Sequence, residues 1–133
     1  MAKKSKYDIF ISSSSKMDRV WVNEFVSALK EAGITNFFEI GDMKPGERWQ
    51  EQMQEALRDS RTFVLILSGP GDVSPWISFE LGVALADRKK IIPVVSEEID
   101  WKKIDPILAK FQFLKESSGR EAGKKVAEIL EEN

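Results

Sequence analysis

Apolar positions along this chain follow two alternating rhythms, one of short continuous runs and one of residues spaced three and four apart. Tyr7 to Ser12 reads as a buried strand, and Thr62 to Leu67 is a run of apolar and β-branched residues bounded downstream by Gly69 and Pro70. Runs of this kind suit strands covered on both faces. Ile34 to Ile40 and Lys90 to Val95 read as two more strands, and Phe111 to Leu114 as a short fifth.

The other rhythm predicts the helices. Val22, Phe25, Val26 and Leu29 form a stripe that Asp18 is placed to cap and Gly33 to end. Trp49, Met53, Ala56 and Leu57 give a second inner face. Ser74 can cap a third helix with Pro75 at its first position, where the missing N–H costs nothing. Asp105-Pro106 looks like a further helix start. Ser118 and Glu121 have capping-box spacing ahead of the stripe Ala122, Val126, Ile129 and Leu130.

Strands and helices that alternate in this way pair most economically in parallel, through right-handed crossovers. The expected fold is α/β: a doubly wound, flavodoxin-like sheet of five parallel strands in the order 2-1-3-4-5, with helices on both faces. That order reverses direction between the first and third strands, and ligands of open α/β sheets bind beside such a reversal. Three stretches far apart in sequence should meet there: the polar loop Ser13 to Lys16, the turn Ser68 to Gly71, and the helix that carries Glu80. Trp76 and Glu80 are four residues apart, so the helix delivers a ring and a carboxylate on one face. The alternative for Glu80 is a solvent-facing residue in an early helical turn, where the macrodipole mildly favours negative charge.

Composition narrows the chemistry. The chain has 133 residues, within the single-domain range, and contains neither cysteine nor histidine. Disulfides, thiolate metal sites, cysteine nucleophiles and imidazole proton shuttles are therefore excluded. Any catalysis must rest on carboxylates, hydroxyls, lysines or backbone dipoles. A formal net charge of -2 gives no electrostatic reason to expect nucleic acid or an anionic membrane as partner. Lys3, Lys4 and Lys6 mark residues 1–6 as a flexible basic tail before a single domain at 7–133. No apolar stretch approaches a membrane span and no secretory segment is evident, so a soluble, cytoplasmic protein is expected.

Taken together, Asp8-Ile9-Phe10-Ile11-Ser12, Met43 to Trp49, Leu67-Ser68, Ser74-Pro75-Trp76 through Glu80-Leu81-Gly82, and Ile92-Pro93-Val94 resemble a TIR (Toll/interleukin-1 receptor) domain of the bacterial type. The ordered set runs from about Tyr7 to Val95. The resemblance implies a flavodoxin-like fold and two uses: homotypic assembly in signalling, and cleavage of NAD at its nicotinamide glycosidic bond. It implies that Glu80 is catalytic, as the glutamate of the tryptophan-x-x-x-glutamate motif. The loop that gates the pocket in this family maps to Gly41 to Glu47. Substrate contacts are then expected from Trp76, Phe10, Ser12, Ser13, Ser14, Lys44, Gly46 and Trp49, with no metal and no cofactor beyond NAD as substrate. Core packing for Trp76 and Trp49, and surface solvation for Lys44, are the plainer alternatives. Expected partners are other TIR domains on activation and a separate effector or sensor protein, since bacterial members serve in antiviral defence. The serine loop departs from many members, which carry an aromatic residue or histidine near Ser13.

The chemistry suits this inventory. Nicotinamide in NAD is joined through a positively charged ring nitrogen, so it leaves neutral and needs no proton. Positive charge develops on the ribose, and one carboxylate can suffice where glycoside hydrolysis uses two. Glu80 could stabilise that cation, hold the ribose hydroxyls or act as nucleophile. The competing reading is a TIR-like interaction module that performs no chemistry.

Overall fold

Burial on both faces explains the strands. The computed structural model describes residues 7–14, 16–40, 51–68, 73, 75–97 and 108–132. In β1 (Tyr7–Ser13) every residue from Ile9 onward is buried, and in β3 (Ser60–Leu67) only Arg61 is exposed. β2 (Asn36–Ile40), β4 (Lys90–Val95) and β5 (Leu114–Lys115) complete a parallel sheet in the order β2-β1-β3-β4-β5. The helices are α1 (Arg19–Glu31), α2 (Glu51–Asp59), α3 (Pro75–Ala86) and α4 (Gly119–Glu131).

Side chains alternate across the strands and divide the core in two. Ile9 and Ile11 of β1, with Val64, Ile66, Ile92 and Val94, pack under α1 and α4. Phe10, Phe63, Leu65, Leu67, Ile91 and Val95 point the other way, under α2 and α3. Successive strand residues face opposite sides, so each parity supplies one layer.

Local chemistry ends the elements where the pattern says, with two shifts. Asp18 Oδ1 accepts from the N–H groups of Val20 (2.8 Å) and Trp21 (3.5 Å), capping α1. Gly33, at φ +78°, closes it: its N–H reaches Lys30 O and that of Ile34 reaches Leu29 O, both at 3.0 Å. This is the Schellman arrangement, which needs a residue tolerant of the left-handed region. Ile34 is thereby spent on the helix end, and Thr35 donates its N–H and hydroxyl to Asp8 Oδ2 at 3.0 Å. The second strand therefore begins at Asn36, later than the expected Ile34.

The expected strand Phe111 to Leu114 shifts as well. Phe111 N–H closes a 3-10 turn on Leu108 O, while Phe111 and Phe113 lean on the α2/α3 side of the core. Pairing with β4 is confined to Leu114 and Lys115. Ser118 Oγ accepts from Glu121 N–H at 3.3 Å and starts α4 as its spacing predicts. The basic tail and the expected helix start at Asp105-Pro106 lie outside the described residues. Among the described residues, no helix is long and apolar enough to cross a membrane.

Candidate active site

β1 and β3 lie side by side at the centre of the sheet, yet the chain between them runs out to β2 and back. Their carboxyl ends therefore form the topological switch point. Ser12 pairs in register with Leu65 and Ser13 with Ile66, and Ser14 N–H donates to Ile66 O at 2.9 Å. The serine run is thus fastened to β3 from its first residue.

Ser12 shares the parity of Phe10 and faces α3. The inward stripe of that helix is Ile77, Leu81 and Ala84, all 2% exposed or less. Glu80 occupies this stripe, because residues at i, i+3, i+4 and i+7 share a helix face. It exposes no surface at all, and Ser12 Oγ donates to its Oε1 at 2.9 Å. The solvent-facing alternative for Glu80 is overturned: the one charged residue of α3 points into the protein. A buried carboxylate is tolerated only with hydrogen-bonding partners, since desolvation penalises the charged form.

The other expected site residues separate into three groups. Ser13 and Ser14 are buried beside Ser12 but are engaged locally. Ser13 Oγ donates to Ser14 O at 3.2 Å, and Ser14 Oγ accepts from Lys16 N–H at 3.2 Å. Phe10 lies deeper: its ring is 1% exposed and stacks on Phe63, with centroids 5.9 Å apart and planes 13° from parallel. It packs in the core layer between the sheet and α2/α3, two residues upstream of Ser12 on the same strand face. Lys44, Gly46, Trp49 and the loop Gly41 to Glu47 lie outside the described residues, as does the side chain of Trp76.

Two features were not specified by the sequence, although the serine loop and the helix of Glu80 were expected to meet. One is the Ser12 to Glu80 hydrogen bond, which joins residues 68 apart. The other is a cavity of about 460 Å³ at the opposite end of the sheet, lined in part by Asp8, Ile34, Arg61, Lys90 and Glu131. Its charges come from strand starts and the end of α4, positions that carry no motif.

Comparison with known proteins bears on this geometry. The family model for the TIR domain matches residues 9–130. A probable 2' cyclic ADP-D-ribose synthase of Methanobrevibacter olleyae is 28% identical over 97 residues, covering 71% of this chain and 28% of the relative. Another from Brachypodium distachyon is 30% identical over 91 residues, covering 68% of this chain and 41% of the relative. The chain thus spans well under half the length of these curated relatives. Among solved structures, the TIR domain of a Toll-related receptor from Hydra magnipapillata superposes with a TM-score of 0.64 at 25% identity, covering 96% of this chain and 94% of that one.

Proposed function

The chain belongs to the TIR domain family, and from that premise we propose that it cleaves the nicotinamide–ribose bond of NAD with Glu80 as the catalytic carboxylate. One observation carries the reading: a glutamate with no exposed surface, hydrogen-bonded by Ser12 at the carboxyl end of a central strand. A helix so apolar has no structural need for a buried carboxylate, and costly buried ionisable groups cluster at functional sites.

The reaction follows from the chemistry of the bond. The pair of electrons joining ribose to nicotinamide leaves with the ring nitrogen, cancelling its positive charge and releasing neutral nicotinamide. The ribosyl group is left cationic. A carboxylate held in a water-poor site stabilises that charge more strongly than the same group in water. Capture by water, with loss of a proton, gives linear ADP-ribose. Capture by a hydroxyl of the same molecule, again with loss of a proton, gives a cyclic product, as the relatives' names describe for those proteins.

In the present conformation Glu80 is closed off, so turnover requires a conformation in which the site opens. We assign that step to self-association of TIR domains, within a bacterial defence or signalling pathway. The direct test is release of nicotinamide from NAD, followed by chromatography with and without a crowding agent. Wild type should release it and Glu80→Gln should not. Release by Glu80→Gln at the wild-type rate would remove this residue from the mechanism.

A second reading, a TIR interaction module without chemistry, is favoured by the outward face of α3. Phe79 is 53% exposed there and Leu85 37%. Self-association of the wild type with no nicotinamide released under any assembled condition would select it.

A further inference from the structure

We infer that Ser12 is a positioning residue for Glu80: its hydroxyl, anchored in the central strand, fixes the carboxylate in the orientation that cleavage uses. The inference rests on the catalytic reading of Glu80 given above. Ser12 exposes no surface, so in this conformation any influence it has on a substrate passes through the residue it touches.

The two ends of this hydrogen bond differ in stiffness. Ser12 belongs to a strand paired on both sides, opposite Glu39 of β2 and Leu65 of β3. Glu80 is an unbranched side chain with rotatable bonds of its own. Ile77 and Leu81, which share its helix face, are apolar core residues. Apolar burial sets how deep α3 sits but has no direction. A hydrogen bond at 2.9 Å does have direction, and it prefers a near-linear donor. Ser12 therefore supplies an angular restraint of a kind that neighbouring hydrocarbon lacks.

The other serines of the run do not duplicate this role. The hydroxyls of Ser13 and Ser14 are engaged with their own loop, and Ser13 has the parity of the α1/α4 face. Ser12 alone among the three combines the α3-facing parity with a bond to the carboxylate. Catalytic groups must be held close to productive geometry by second contacts on rigid elements. A misplacement of about 1 Å can cost on the order of 100-fold in rate.

Steady-state NAD cleavage by Ser12→Ala, Ser12→Cys and Ser12→Thr, beside wild type and Glu80→Gln, tests the inference. Ser12→Ala should lower kcat by roughly 10- to 100-fold with KM little changed, the signature of an interaction that matters in the transition state. Ser12→Cys, similar in shape but a weak donor, should lose kcat in the same way, and it carries the test if the alanine variant folds poorly. Ser12→Thr keeps the hydroxyl and should recover most of kcat. Thermal melts should show the cysteine and threonine variants folded.

Three results overturn the inference. Unchanged kcat in folded Ser12→Ala or Ser12→Cys would mean that the hydroxyl does not orient the carboxylate. A raised KM at constant kcat would make Ser12 a substrate contact. A raised kcat would make the bond a restraint on activity. Glu80→Gln separates the two layers of the argument. If it stays active, the catalytic reading itself fails; if it is inactive while Ser12→Ala is not impaired, only the positioning role fails.

Discussion

Glu80 is expensive to keep where it is. Removing a carboxylate from water costs free energy that hydrogen bonds inside the protein commonly offset only in part, and sites kept for function commonly sacrifice stability in this way. Glu80→Gln retains an acceptor for Ser12 and removes the charge. We therefore predict unfolding free energy that is unchanged or higher, by about 1 kcal/mol, measured by urea denaturation. A loss of several kcal/mol would mark the carboxylate as structural. The sequence located Glu80 on the right helix at the right end of the sheet, but not the direction it faces. Its neighbours Phe79 and Leu81 are both large and apolar, so a helix apolar on all sides offers no stripe to orient it. The depth of Phe10 was illegible for a related reason: a continuous apolar strand has no alternation to tell how far each ring is buried.

Among the elements, α1 and α4 show how much of the fold small residues decide. Trp21 stacks on Phe25 with centroids 5.5 Å apart, and its indole N–H donates to Glu116 O at 3.2 Å. α4 approaches closely because Gly119 and Gly123 face this layer. A Cβ on Gly123 would stand 2.7 Å from both Phe25 O and Ala28 Cβ, and one on Gly119 would collide with the Trp21 carbonyl. Gly123→Val should therefore destabilise the fold by about 1–3 kcal/mol, the range for overpacking, and lower the melting temperature. A melt equal to wild type would show that the helices can part without loss. The caps at Asp18, Gly33 and Ser118 were legible because each has a local, sequence-encoded partner. The start of β2 and the extent of β5 were not. They depend on Thr35 meeting Asp8 and on Phe111 closing a turn with Leu108, which apolar patterning does not register.

For the whole molecule, alternation of strands and helices was enough to expect the α/β layers and the meeting of β1 and β3, because right-handed crossovers leave few topologies. The sheet separates its two ends by function in this account. The cavity of about 460 Å³ near Arg61 and Lys90 lies at the amino ends of the strands, away from Glu80. The double variant Arg61→Ser with Lys90→Ser should accordingly leave nicotinamide release within about 2-fold of wild type, as surface changes away from a site usually do. A large loss would move the substrate to that end. Its near-balanced charge, 20 basic against 22 acidic residues, provides no strong long-range repulsion between copies, which is compatible with activity that rises with protein concentration.

The most direct measurement is nicotinamide release from NAD by wild type and Glu80→Gln, at matched concentration in a crowding agent, with circular dichroism showing both folded. The account predicts release by wild type and none by the variant. Equal release by the two, or none by an assembled wild type, would contradict it.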